Sequence, residues 1–540
     1  MYRGGNDRHF TDYMADAVYG RLLVDGDRGE ATRHLSAMHH IYRAWDERFD
    51  WSKGLYWVEP LLDATEYTIS SIDASGGKDG FRGGDSFRPS INAYMFANAR
   101  ALSRLATIAG DGAMSAELAG RADALKTRVQ EALWQPKFEH FVDRYKVSNE
   151  HVRYWEPIRG RELVGYVPWM FGLPDDTPGF AAAWKHLTSP KEFAGAAGLR
   201  TVGPGYEHYM RQYRYLGTAP ECQWNGPVWP FQTTQVLLAL ANLLNDYDQS
   251  VVSRADYLRL LRQYTAMHRQ AGRLDLEEDY HPETGKPIVG LERSHHYFHS
   301  GYVDLVLSGL VGIRPRDDDT LVVNPLLPDA RALRWFRVQD FPYHGHLVSI
   351  TWDADGRRFG SRGVTIEVDG AVVARRATLG PVSTTVRRRT PPPIARPINR
   401  AVQLVRGEFP IATASSNPDP EALHDAVDGR LWFFPELANG WSSAPLPKAQ
   451  WFAIDLGKVQ RIERAELAFF ADGRRFAAPA SYRIQVMTGA KWTDLAATTD
   501  KALGNGVTHA RWPAVEARQF RIAIDQRAGF ATRLVEFKLF

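Results

Sequence analysis

Two stretches of this sequence crowd carboxyl groups among aromatic, glycine and proline residues. Residues 54–71, GLYWVEPLLDATEYTISS, offer Glu59, Asp63 and Glu66 beside Tyr56, Trp57 and Tyr67. Residues 273–290, RLDLEEDYHPETGKPIVG, offer Glu277, Glu278, Asp279 and Glu283 just after a helical pattern. Most acidic side chains are solvated surface groups, so either stretch alone is a weak signal. Together they suggest a definite chemistry. One carboxyl group can protonate a leaving oxygen while a second activates water or attacks, which is what cleavage of a glycosidic bond requires. The 16 Trp, 22 Tyr and 26 Phe suit sugars, whose C–H faces stack on aromatic rings, although cores use the same residues.

Such loops need a scaffold. Apolar residues recur at helical spacing through about 8–24, 29–47, 90–108, 114–134, 227–245 and 254–270. The clearest case puts Leu118, Ala122, Leu125, Val129 and Leu133 on one face. Between the helices lie long gaps rich in Gly, Pro and aromatics, chiefly 49–88 and 190–226, where paired helices carry function. From about 318 the period changes to two. TLVVNPLLP, HLVSITWD and VTIEVDGAVVA predict a small antiparallel sheet. Pro381, Pro391, Pro392, Pro393 and Pro397 then stiffen a linker. Short strands from about 400 onward (WFAIDLG, RIERAELAFF, SYRIQVMTG, KWTDLAA, ARQFRIAI) predict a β-sandwich or jelly roll. The expected division is helical at 1–316, a small β-sheet domain at 317–390, a Pro-rich linker at 391–399 and a sandwich at 400–540.

Several function classes lose support. The net charge of +3 is close to neutral for 540 residues, and Arg387, Arg388 and Arg389 sit at a linker edge, so no nucleic-acid role is expected. One cysteine, Cys222, excludes an intrachain disulfide or a cysteine-based metal cluster. The N-terminus has no apolar core to act as a signal peptide, and no stretch of about 18 apolar residues predicts a membrane span. A periplasmic or secreted location requires a leader that was removed. His295 and His299 share a face if helical, with His296 between them, yet no Glu-x-x-His pattern supports a metal, and none is expected. Glu156 reads either as a cleft wall or as an ion-pair partner of Arg159.

ECQWNGPVWPFQTTQVLLALANLL, residues 221–244, resembles the W-x-G-P-x-W segment of inverting helical-toroid hydrolases related to glycoside hydrolase family 63 and the mannosylglycerate hydrolases. Trp224, Gly226, Pro227 and Trp229 carry that match. GLRTV at 198–202, EDYHPETG at 278–285 and FHSGYVDLVLSGL at 298–310 resemble neighbouring segments in the family's order. DATEYTIS resembles its acid loop, and FRPSINAYMFANARAL the helix after it. The resemblance covers residues 1 to about 315. It implies an (α/α)6-toroid-like α domain, with about nine helices read from the sequence where a complete six-hairpin toroid has twelve.

The resemblance also implies roles. Glu66 aligns with the general acid, which in the family is usually Asp, so Asp63 is a rival. Glu278 aligns with the general base. Trp57 and Tyr67 are expected beside the acid, Trp224, Trp229 and His299 in the cleft, and Asn225 and Arg200 on sugar hydroxyls. An inverting pair stands ~6.5–9.5 Å apart, leaving room for water. The expected activity is exo-acting hydrolysis of an oligo- or polysaccharide without a required cofactor. A non-catalytic glycan-binding protein with a degenerate toroid is an alternative. A glycoside phosphorylase is another, which the presence of Glu278 disfavours. Sugar, linkage and oligomeric state are not readable.

ATASSN, AVDG at 426–429, Trp441, QWFAIDLG at 450–457, RQFRIAI at 518–524 and the closing EFKLF resemble the discoidin, or coagulation factor type C, family. That implies an eight-stranded jelly roll that binds carbohydrate through loops at one end. Trp432, Phe433, Phe434, Arg474, Arg475 and Phe476 are its candidates, an aromatic platform beside guanidinium groups. Trp441 and Trp451 are expected in its core. Some relatives hold a structural calcium, which puts forward Asp425 and Asp428.

Overall fold

The computed structural model describes residues 9–270, 273–291, 294–295, 297, 299, 301–389, 397–433 and 439–540. The chain forms two compact units, Met1–Pro392 and Pro393–Phe540.

The first unit opens with helices α1 (Met14–Asp25), α2 (Arg28–Arg33) and α3 (Leu35–Ala44). The hairpin β1 (Phe49–Asp50) and β2 (Leu55–Tyr56) leads into the first acidic loop, which ends on α4 (Ile69–Ala74). Next come α5 (Pro89–Ala109) and α6 (Gly112–Ala132), and after a long loop region α7 (Pro230–Asp246) and α8 (Arg254–Met267). Local chemistry sets these boundaries. Pro89 starts α5, where its missing N–H costs nothing, and Gly110 ends it at φ +80°. Asp111 caps α6 by accepting from Met114 N, and Ser253 and Asp256 form a capping box on α8. Helix α5 is buried almost all round and packs against α6 through the predicted Leu118, Ala122, Leu125 and Val129 face. Buried helices of this kind form the inside of a helical toroid.

Helix gives way to sheet at Ile313. Strands β3 (Ile313–Pro315), β4 (Thr320–Val323) and β9 (Val382–Thr385) form one antiparallel sheet. Strands β5 (Trp335–Tyr343), β6 (His346–Asp353), β7 (Gly363–Val368) and β8 (Ala371–Arg376) form a four-stranded meander. Leu321, Val323, Val348, Ile350, Trp352, Val364 and Ile366 share one core between them.

The second unit is an eight-stranded antiparallel assembly organised on two long strands, β10 (Ala449–Phe470) and β11 (Gly506–Asp525). WFAIDLG and RIERAELAFF, read as separate strands, are one strand broken in register between Asp455 and Gln460 and again between Ile462 and Arg464. Such bulges let a long strand bend around a core. Trp441, Phe452, Ile454, Leu467, Ile522 and Phe537 fill that core. Trp451 corrects the expectation. Phe452 takes the inward place, and period two turns Trp451 to the outer face, half-buried, with the Arg521 guanidinium 5.8 Å from its ring. Among the described residues no helix is long and apolar enough to cross a membrane.

Candidate active site

Four loop segments converge. Val228 and Tyr280 exchange backbone hydrogen bonds at 2.8 and 3.0 Å, which joins the 221–229 segment to the second acidic loop. Thr201 N donates to Pro227 O at 3.2 Å, and Ala197 N donates to Pro282 O at 2.8 Å, so the GLRTV loop fastens both. The first acidic loop joins them through aromatic contact: Tyr67 stacks on Tyr213 with ring centroids 5.5 Å apart. Tyr67 holds φ +59°, a left-handed conformation that redirects the chain directly after Glu66.

Glu66 is the carboxyl of the first loop that reaches this junction. Its Oε1 accepts a hydrogen bond from Cys222 Sγ at 3.1 Å. Burial pushes the Glu66 carboxyl above its usual range, the charge of Glu278 adds to the shift, and Cys222 and Arg214 oppose it. Arg214 pairs with Glu221 and lies 4.4 Å over the Phe81 ring.

Glu278 is buried, and Ser294 Oγ donates to its Oε2 at 2.6 Å. Next to it, burial pushes Asp279 up to about 8, with the charges of Glu278 and Glu277 adding. Asp279 therefore holds a proton near neutral pH, and its negative charge is kept off the junction. Glu277 turns the other way and meets His295 Nδ1 at 2.7 Å. Asp275, Glu277 and His295 offer ligand atoms within 4.8 Å of one another, two of them joined by the His295–Glu277 bond. His299 is buried beside this loop, and burial pushes it down to about 4, so it is neutral. His296 and Phe434 lie outside the described residues.

The other expected residues divide. Asp63 points away from the junction into a buried network: Thr11 Oγ1 donates to its Oδ1 at 2.7 Å, and Ser90 Oγ and Arg88 Nε reach its Oδ2 at 2.5 and 3.3 Å. Both of its oxygens are engaged, so Asp63 belongs to the buried Arg88 network. Trp57 lies beneath the Arg48 guanidinium, 4.9 Å from its ring. Trp224 and Trp229 are buried and stack face to face at 4.0 Å, and Trp229 Nε1 donates to Gln223 O at 2.9 Å. Arg200 is a clamp and not a free sugar donor, because its Nη1 donates to the carbonyls of Pro190, Glu192 and Ala194 and its Nε to Glu283. Asn225 donates to His208 O and Arg211 O, and its buried Oδ1 has no partner among the described residues. Arg159 pairs with Asp73 and Glu207, not with Glu156, which lines a groove of about 520 Å³ beside them.

In the second unit Phe476 corrects the expected platform. It is buried against Phe470, Ala531 and Val535, with the half-buried Phe433 packed on that cluster. Arg475 lies 5.1 Å from its ring and Arg533, which sequence reasoning missed, 4.2 Å. Trp432 is half-buried. The acidic pair Asp425 and Asp428 gains a third member in Glu536, which burial pushes up to about 8, the charge of Asp428 adding. Asp428 Oδ2 is buried and accepts no hydrogen bond among the described residues, with Arg430 Nη1 3.5 Å away. These are oxygen ligands of the kind a hard cation such as calcium takes, and both Glu536 oxygens accept from Gly429 N at 3.1 Å.

Cys222, Ser294, Tyr213, Arg214 and Glu536 escaped the sequence reading. Cys222 lies inside the quoted ECQWNG motif, so its position was visible although its contact was not. Ser294 and Glu536 carried no signal beyond residue type.

Comparison with known proteins sets this geometry in a family. The F5/8 type C domain matches residues 411–537, and the C-terminal domain of glycosyl hydrolase family 65 matches 313–375. Among solved structures, a chain titled "Sialidase" shares 34% identity over 69% of this chain, with a TM-score of 0.63. The match takes up 33% of that protein, so this chain spans about a third of its length. A GH63 mannosylglycerate hydrolase from Thermus thermophilus shares 18% identity over 57% of this chain and 78% of its own, with a TM-score of 0.41. A chitosan-binding module from a chitosanase/glucanase of Paenibacillus sp. IK-5 shares 26% identity over 26% of this chain and 98% of its own, with a TM-score of 0.21. No curated protein matches the chain. The mannosylglycerate hydrolase MGH1-like glycoside hydrolase domain matches residues 3–300, more than half of the sequence, and the chain belongs to that family.

Proposed function

We propose that the chain is an inverting, exo-acting glycosidase that removes a terminal sugar from an oligo- or polysaccharide by single displacement. The observation that carries this reading is that two differently bonded carboxyl groups share one junction, Glu66 accepting from Cys222 Sγ and Glu278 from Ser294 Oγ. Glu66 is held toward its protonated form by burial and by the charge of Glu278, as a general acid requires. Glu278, bonded by the Ser294 hydroxyl, is the general base. In the reaction Glu66 gives its proton to the glycosidic oxygen as the C–O bond breaks. Glu278 takes a proton from the water that attacks the anomeric carbon from the opposite face, and the product sugar has inverted configuration. The stacked Trp224 and Trp229 stiffen the loop that carries Cys222, and the Tyr67–Tyr213 stack holds Glu66 against it.

The second unit is proposed to hold the glycan near the catalytic domain and raise its local concentration. Asp425, Asp428 and Glu536 would hold a calcium ion that braces the module. A glycan substrate and a glycan-binding module fit a periplasmic or secreted setting.

The test is release of sugar from a panel of aryl glycosides, disaccharides and plant or bacterial oligosaccharides, with wild type and Glu278→Gln compared. Turnover of one sugar by wild type, reduced by ~10³ or more in the variant, supports the reading. No turnover by intact protein that still binds glycan makes it a glycan-binding protein.

A further inference from the structure

We infer that Cys222 and Ser294 are positioning residues that hold the two carboxyl groups in opposite roles, a weak thiol donor on Glu66 and a strong hydroxyl donor on Glu278. The inference deepens the reading above and rests on it. Two contacts carry it. Cys222 Sγ lies 3.1 Å from Glu66 Oε1, and Ser294 Oγ lies 2.6 Å from Glu278 Oε2. Both are donor-to-carboxyl contacts, yet the donors differ in kind. A hydroxyl bonds a carboxylate strongly and favours its ionised form, which a base needs. A thiol donates weakly, so it fixes the orientation of a carboxyl group with little loss of its proton.

The surroundings support a donating thiol. Burial pushes Cys222 far above its usual range, and the carboxyl groups of Glu66, Glu278 and Asp279 push the same way whenever they ionise. The thiol therefore stays protonated and has a hydrogen to offer. The Val228–Tyr280 bridge seats the segment that carries Cys222 on the loop that carries Glu278, which brings the two donor–carboxyl pairs to one junction. Serine or threonine at 222 would pull the proton off the acid, and alanine would leave its carboxyl free to rotate.

The chain has one cysteine, so its S–H stretch is a single infrared band in a region clear of other protein vibrations. In the full chain that band is expected to move to lower frequency as pH rises and Glu66 ionises, and Glu66→Gln is expected to abolish the movement. A band that ignores both pH and Glu66→Gln overturns the inference, and this readout needs no substrate. The second measurement is the pH profile of kcat/KM on the disaccharide hydrolysed in the panel, since a nitrophenyl leaving group would not need the acid. Removing a donor raises the pKa of the carboxyl it served. Cys222→Ala should therefore move the alkaline limb up by roughly half a pH unit and leave the acidic limb in place, and Cys222→Ser should bring that limb back to or below its wild-type position. Ser294→Ala should move the acidic limb up by about one unit and leave the alkaline limb. A uniform loss of rate with both limbs fixed would mean structural support alone and would sink the inference. If Glu66→Gln and Glu278→Gln keep full turnover, or no sugar is hydrolysed, the proposed hydrolysis fails, and the S–H titration still decides the contact.

Discussion

Asp63 and Arg88 form an ion pair sealed from solvent, with Oδ2 and Nε 3.3 Å apart and both side chains buried in the helical domain. Arg88 also meets Asp143 at 2.7 Å and Glu162 at 3.5 Å, so one cation serves three carboxyl groups. Glu66, three residues after Asp63, pairs with no cation among the described residues and accepts from a thiol instead. This difference separates the two candidates for the acid. Asp63→Asn leaves Arg88 short of a buried counter-charge and should cost about 3 kcal/mol of stability. Glu66→Gln should leave the melting temperature unchanged and remove turnover. Thermal melts and rates on the two purified variants check this, and the reverse pattern would make Asp63 the acid.

Stereochemistry tests the mechanism independently of mutation. Single displacement releases the sugar with inverted anomeric configuration, whereas a covalent intermediate retains it. Proton NMR in the first minutes of turnover, before mutarotation, should show the inverted anomer. Early appearance of the retained anomer would make one carboxylate a nucleophile.

The pH dependence of stability has a defined source in His140. This side chain is fully buried, its Nε2 lies 2.9 Å from Glu162 O, and burial pushes it down to about 3 from 6.5. Between those two values the unfolded chain takes up a proton that the folded chain refuses. The stability due to neutral His140 is complete above pH 6.5 and is lost as pH falls toward 3. His140→Gln, whose amide can make the same contact, does not titrate. The melting-temperature gap between wild type and this variant should narrow as pH is lowered from neutral, and a constant gap would show that His140 does not couple folding to pH.

Calcium should act on the second unit. An ion held by Asp428 and Glu536 binds the folded form alone, so millimolar calcium should raise the thermal transition of this unit by mass action. Chelator should reverse the effect, and Asp428→Asn should abolish it. A transition indifferent to calcium would leave these carboxyl groups as a proton-sharing cluster.

Local signals were enough for the elements. The helical stripe from Leu118 to Val129, the helix read over about 90–108 and the switch to period two near 318 are each set by a few neighbouring residues, and each is found close to where the sequence places it. Local signals also located the two acidic loops. They failed where a side chain's surroundings come from distant segments. Asp63 and Glu66 are three residues apart and chemically alike, and only the packing of Arg88 against one and Cys222 against the other separates them. Arg200 and Phe476 have the right types for sugar binding, yet their contacts are used up by the carbonyls of residues 190–194 and by Phe470, Ala531 and Val535. The sequence by itself determined the domain order, the kinds of secondary structure and the two carboxyl-rich loops, because these follow from periodicity and backbone preference over short range. Only the tertiary structure decided which carboxyl accepts from a thiol, which is bonded by a hydroxyl and which pairs with an arginine, because those surroundings are brought together from distant positions in the chain.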